Sequence, residues 1–109
     1  MGKRRIKQAL AILKALEVPR AQQNERSALA LLALADMKPN SSWSDVTAPL
    51  RGITELMDYF RDFFGKKYAP NTRETVRWFT IHQFVQMGFV IANPDNLSRP
   101  VNSPDNRYQ

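Results

Sequence analysis

One run constrains this chain more than any other: the eleven residues Ser27-Ala-Leu-Ala-Leu-Leu-Ala-Leu-Ala-Asp-Met37. As a helix they are apolar nearly all round. A helix without a polar face belongs at the centre of a core. Its alanines let neighbouring helices approach closely. Asn24 is the expected N-cap and Glu25 suits the first turn. Lys38-Pro39-Asn40 stops the helix.

Two further helices supply apolar stripes. Lys3 to Leu16 places Ile6, Ala9, Leu10, Leu13 and Leu16 at helical spacing, with lysines opposite, and Pro19 is expected to end it. Thr54 to Phe64 lines up Ile53, Met57, Phe60 and Phe64, with Leu56, Tyr59 and Phe63 beside them. Thr54 is the expected cap and Gly65 the stop. An aromatic stripe of this kind is core rather than a ligand box. Between these helices, Ser41 to Val46 reads as a short capped turn, with Trp43 plugging the core edge.

The stretch from Tyr68 to Val90 has a different layout. Asn71 with Glu74 three residues later is a capping-box pattern. The first turns carry donors, Thr72, Arg73, Thr75 and Arg77. The second half is apolar, and Gly88 ends the helix at Met87. This is the layout of a recognition helix, with donors for base edges at its N-terminal turns and anchors on its buried face. Free amides at its start can hold a phosphate, and Lys66 and Lys67 precede it where phosphates would pass. An ordinary helix packed on a hairpin fits the same pattern of anchors and glycine.

One irregularity interrupts that helix. Val76 and Ile81 are five residues apart, with Trp78 and Phe79 between them. A regular helix cannot set all four on one face. Either the helix bulges or breaks near Trp78, or an aromatic faces out, where it could contact DNA, a partner domain or a second copy of the chain. Burial of both rings against the first and third helices is the competing expectation.

Phe89-Val90-Ile91-Ala92 is short and β-favouring. Asn93 to Pro100 is turn chemistry, and Val101 to Gln109 is expected to return as an irregular second strand. The pair would form a β-hairpin wing whose long polar tip bears Arg99, placed for a minor groove or a phosphate. The expected fold is mainly α: a winged helix-turn-helix of four or five helices with a C-terminal β-hairpin wing. Residues 1–109 form a single domain, a size that buries a modest core.

Charge agrees with a polyanionic partner. The net +6 is uneven: residues 1–20 carry six basic residues and one acidic, 21–65 four and six, and 66–109 six and three. Two basic ends therefore flank a mildly acidic middle, a field that steers polyanions. A solvated surface accounts for the same charges. The absence of cysteine excludes disulfides and thiolate metal sites and favours the cytoplasm. No apolar run approaches the ~20 residues of a membrane span. No catalytic constellation is present. His82 has no second histidine or cysteine for a metal site. Asp36-Met37-Lys38 has a nuclease-like Asp-x-Lys form but sits at the end of an apolar helix with no acidic partner at a strand end.

Several stretches resemble the N-terminal part of the BsuBI/PstI family of type II restriction endonucleases. They are Ile12-Leu-Lys-Ala-Leu16, Gln22-Gln-Asn-Glu-Arg-Ser27, Leu31-Leu-Ala-Leu34 with Lys38-Pro39, Ala69-Pro-Asn-Thr-Arg-Glu-Thr-Val-Arg77, Thr80-Ile-His-Gln-Phe84, and Asn93-Pro-Asp-Asn96 with Ser98-Arg99 and Asn102-Ser103. They cover nearly the whole chain in order. Trp78 and Phe79 depart from a family pattern that is more polar there. The resemblance implies a helix-turn-helix DNA-binding domain of a bacterial or archaeal restriction enzyme. Its Mg-dependent nuclease part would lie C-terminal, outside this chain, so no catalytic residue, metal ligand or cofactor is carried over.

The resulting expectation is double-stranded DNA binding through Lys66, Lys67, Asn71, Thr72, Arg73, Thr75, Arg77 and Arg99. A homodimer would form through or with the nuclease domain. The alternatives are a protein-interaction module that docks Trp78 and Phe79 on a nuclease domain or second subunit, and a stand-alone winged-helix regulator.

Overall fold

The computed structural model describes residues 2–100, 103 and 105–109. Among these, four helical rods and a two-stranded antiparallel sheet make up the fold. The helix α1 spans Lys3–Ala15, α2 Glu25–Leu34 and α3 Ile53–Phe64. The fourth rod, residues 70–86, is composite. A 3₁₀ turn at Pro70–Thr72 leads into α4 (Arg73–Val76), a π-helical turn at Arg77–Ile81 and α5 (His82–Gln86).

The central position of α2 holds. Ser27, Ala28, Leu29, Ala30, Leu32, Ala33 and Leu34 are all buried, and α2 packs against α1, α3 and the π turn. Asn24 caps it as expected, its side-chain oxygen accepting from the Ser27 N–H at 2.8 Å. The chain is helical for less of this run than its composition suggests. α2 stops at Leu34, and Asp36 turns left-handed at φ 53°. Met37 N–H then bonds back to the Leu32 carbonyl at 2.8 Å, which returns Met37 to the core fully buried.

This closure recurs. α1 ends at Ala15 with Leu16 as its C-cap, within a residue of the expected end, but Glu17 and not Pro19 stops it: Glu17 turns left-handed at φ 59° and Val18 N–H reaches the Leu13 carbonyl at 3.3 Å. Gly65 after α3 (φ 66°) and Gly88 after α5 (φ 80°) do the same, with Lys66 N–H to Phe60 and Phe89 N–H to Phe84, both at 3.0 Å. Each is a Schellman turn, which satisfies carbonyls left over at the helix end. Glycine adopts this conformation without strain, whereas a side chain raises its cost by roughly 1–2 kcal/mol. Glu17 and Asp36 carry that cost.

Two expected caps are corrected. Thr54 lies inside α3, not before it. Gly52 is the N-cap residue, and its N–H donates to the Glu55 carboxylate at 3.3 Å. Asn71 lies inside the 3₁₀ turn and makes no side-chain cap, because Ala69 takes the cap position two residues earlier and Pro70 begins the rod. Proline suits this first position, having no N–H to leave unpaired.

The sheet also differs from a simple hairpin. β1 (Arg51–Gly52) pairs antiparallel with β2 (Arg107–Tyr108), in register Arg51 with Tyr108 and Gly52 with Arg107. The expected Phe89–Ala92 strand contracts to a bridge of Ala92 to Tyr108, flanked by reciprocal bonds between Ile91 and Gln109 at 2.9 and 3.1 Å. Residues 107–109 therefore lie between the segments around 51 and 92. Val101 and Asn102, where the return strand was expected to begin, lie outside the described residues.

Trp43 sits at the core edge as expected. Its Nε1–H donates to Gln8 at 2.9 Å, and the Arg5 guanidinium lies over its ring at 5.4 Å. No helix among the described residues is long and apolar enough to cross a membrane.

Candidate nucleic-acid interface

α3, the turn at residues 65–69 and the composite rod form a helix-turn-helix. The turn is set by left-handed Gly65 and by Tyr68, whose ring meets Phe60 edge-on at 6.1 Å. The rod is anchored by Val76, Ile81 and Phe84, which are 0%, 0% and 1% exposed. The five-residue spacing from Val76 to Ile81 is accommodated by the π turn, in which His82 N–H bonds the Arg77 carbonyl. A π turn holds one residue more than an α turn. It thus keeps both anchors on the core face. Thr80 is fully buried between them and accepts from Arg26 Nε at 2.7 Å.

The aromatics of this turn are not buried against α1 and α3. Trp78 is half-buried, donates from Nε1 to Glu74 at 2.9 Å and stacks edge-on against His82 at 5.1 Å. Phe79 is 62% exposed. Gln86 lies 3.3 Å from His82 Nε2. Glu74, Trp78, His82 and Gln86 thus run as a linked column up one side of the rod.

The expected contact residues divide into two groups. Lys67 and Asn71 are exposed, and Thr72, Arg73 and Thr75 are half-buried on the first turns. Arg73 donates to the Thr54 hydroxyl and, with Lys67 and Pro70, borders a shallow groove against α3. Lys66 is exposed and pairs with Glu25 at 2.7 Å, and this contact holds its ammonium above the usual lysine value. Exposed pairs of this type contribute little and exchange readily for another anion.

Arg77 and Arg99 are placed otherwise than expected. Arg77 is only 6% exposed. Its guanidinium lies 3.6 Å from Glu74 and 3.5 Å from the Ser103 carbonyl, tying the rod to the segment that follows residue 100. Arg99 grips both Asp95 oxygens at 3.0 Å and the Asn93 side-chain oxygen at 3.2 Å. This contact holds the Asp95 carboxyl below its usual range. Both arginines brace structure instead of extending from it.

Asn93 is the organising residue of this loop, and turn chemistry alone did not single it out. It is buried and left-handed (φ 51°). Its oxygen accepts from Arg107 N–H at 2.7 Å, and its amide donates to Asn106 at 3.0 Å. The sequence signal was present, since asparagine tolerates this conformation, but its burial is tertiary. Among the described residues, no group of three or more acidic or histidine side chains is placed to hold a metal ion.

α3, the turn after it and the rod with its exposed first turn make a helix-turn-helix domain. The chain belongs to the family described as the BsuBI/PstI restriction endonuclease HTH domain, whose model matches residues 3–109. It is 53% identical over 104 residues to the type II restriction enzyme BsuBI of Bacillus subtilis, covering 95% of this chain and 33% of that protein. It is 39% identical over 102 residues to the type II restriction enzyme AplI of Arthrospira platensis, covering 94% and 31%. The solved structure of SdaI restriction endonuclease superposes with a TM-score of 0.90 at 42% identity, covering 94% of this chain and 32% of that one. The chain thus spans about a third of the length of the relatives it matches.

Proposed function

We propose that this chain is the double-stranded DNA recognition domain of a cytoplasmic type II restriction enzyme, built as a winged helix-turn-helix. The observation that carries the proposal is the composite rod, firmly anchored on one side and polar on the other. It belongs to a helix-turn-helix of a restriction-enzyme family. The winged reading is supported by the order of the strands. β1 precedes α3, and residues 107–109 lie between it and the bridge at Ala92.

In this reading Asn71, Thr72, Arg73 and Thr75 enter the major groove, while Lys67 and Lys66 meet the flanking phosphates. Arg77 and Arg99 hold the rod and the wing loop in place. Cleavage belongs to the remaining two-thirds of a parent enzyme, where a Mg ion would act. No residue of this chain is assigned to that step.

A docking role has one observation in its favour, on another surface. Leu16 and Phe89 are 51% and 43% exposed on a groove also lined by Leu13, Leu31 and Phe84. A nuclease domain would cover that apolar rim and leave the polar face of the rod open, so the two roles are compatible.

Fluorescence anisotropy of a labelled duplex tests the DNA reading. Each phosphate neutralised lowers the slope of log K against log salt by about 0.9. A Lys66→Gln/Lys67→Gln variant should therefore lose a slope of about 2. Salt-independent binding, or a slope unmoved by these substitutions and by Arg73→Gln, would refute the proposed face.

A further inference from the structure

Phe79 is the least explained side chain on the rod. In a regular α-helix, the residue three places after a buried one lies on the same side. Phe79 stands three places after fully buried Val76, yet it is 62% exposed. The π turn accounts for this. By accommodating an additional residue between Val76 and Ile81, it keeps both anchors buried and carries the ring past the core into solvent. The chain therefore maintains a rare helical geometry whose visible result is one outward phenyl ring.

The ring's surroundings identify what it meets. Thr75 precedes it by one turn, and exposed Gln86 follows on the same rod. Other exposed apolar side chains are Leu16, Val46, Phe89 and Ile91, and Leu97, which shares a hollow with Trp78 and His82. An exposed apolar ring one turn beyond Thr75 on the rod matches the major groove, where the thymine methyl is the apolar feature among polar base edges.

We infer that Phe79 reads a thymine 5-methyl group, giving this domain a preference for an A·T pair at one position of the sequence it contacts. The inference rests on the DNA-binding reading of the rod and adds a specificity-determining residue to it. No bond is made or broken. Discrimination comes from removing the ring and the methyl together from water.

The test is a selection from duplexes with a randomised core, using this chain and its Phe79→Ala and Phe79→Leu variants. Each thymine of the enriched sequence is then replaced by deoxyuridine, which lacks only the methyl group. At one position the substitution should weaken binding by about fourfold, the factor given by ~0.8 kcal/mol for one buried methyl. Phe79→Ala should bind more weakly and become indifferent at that position, while Phe79→Leu should remain sensitive. The melting temperature of Phe79→Ala should fall by no more than about 4–8 °C, the shift that about 1 kcal/mol produces in a domain of this size, since most of the ring is outside the core.

If no duplex is enriched and binding shows no salt dependence, the DNA reading falls and this inference falls with it. If duplexes are enriched but deoxyuridine is tolerated at every position, only the thymine contact is overturned. The same holds if Phe79→Ala keeps the discrimination of the parent chain. Self-association abolished by Phe79→Ala, with DNA binding unchanged, would assign the ring to a protein contact and also overturn it.

Discussion

Deleting Phe79 outright tests the π turn more severely than any substitution. The His82 N–H to Arg77 carbonyl bond spans five residues. With one residue removed it spans four, the spacing of an ordinary α-helix. Val76 and Ile81 then stand four apart and still share a face. The rod downstream would keep its orientation, including Phe84 and the Gly88 stop.

The energetic terms are small and opposed. The ring is 62% exposed, so its remaining burial contributes about 1 kcal/mol. Releasing one residue from a fixed backbone returns roughly 1–2 kcal/mol. The deletion should therefore fold with stability within about 1 kcal/mol of the parent.

Deletion of Asp58 is the control. It falls within regular α3, so the downstream half of that helix rotates by about 100° and carries Tyr59, Phe60 and Phe64 out of their buried positions. Losing even one such aromatic costs about 3–5 kcal/mol, out of a typical total of about 5–15. This variant should not fold. Urea unfolding followed by far-UV circular dichroism measures both. A loss above about 3 kcal/mol on deleting Phe79 would mean that the extra residue is structural, and the account of the π turn would be wrong.

Further outcomes follow from the helix ends and the loop. Glu17→Gly should raise stability by about 0.5–1 kcal/mol, because Glu17 is exposed and left-handed; an unchanged unfolding midpoint would contradict the strain. Gly88→Ala should lower stability by about 1 kcal/mol through backbone conformation alone, since no atom lies within 4 Å of the added methyl. Asp95 should titrate below the ordinary aspartate range in a carbon-detected NMR titration, and Arg99→Gln should return it there. The sign follows from the depressed value. The contact stabilises the fold above the unfolded aspartate pKa of about 3.9 and loses that effect as pH falls through the folded value. A normal Asp95 midpoint in the parent chain would remove the Arg99 brace.

The helices were legible because burial writes itself into spacing. Leu13, Leu32, Phe60 and Ile81 all fall on apolar periods, and all are fully buried. The disturbed spacing from Val76 to Ile81 announced the π turn for the same reason. What escaped the sequence depends on partners far along the chain. β1 is two residues long and exists only because Arg107 and Tyr108 lie against it. Arg77 looked like a donor beside Arg73 and Thr75, but the carbonyl it meets belongs to Ser103. Asn71 with Glu74 matched a capping pattern, yet Pro70 starts the rod first and Glu74 bonds Trp78 instead. Local pattern reports which face is apolar. It does not report which polar side chain will find a distant partner.

The position of Arg107–Tyr108 also has a consequence for the order in which the domain condenses. These residues pair with Arg51–Gly52, and Arg107 pairs with Glu55 on α3. Every helix has been synthesised before β2 leaves the ribosome. The helical part can collapse early through contacts that are mostly local, whereas the sheet must close a loop of more than fifty residues. Until then the N-terminal end of α3 has neither its strand nor its cation. The helix-turn-helix is therefore assembled as a bundle first, and the loop that braces it is sewn on last.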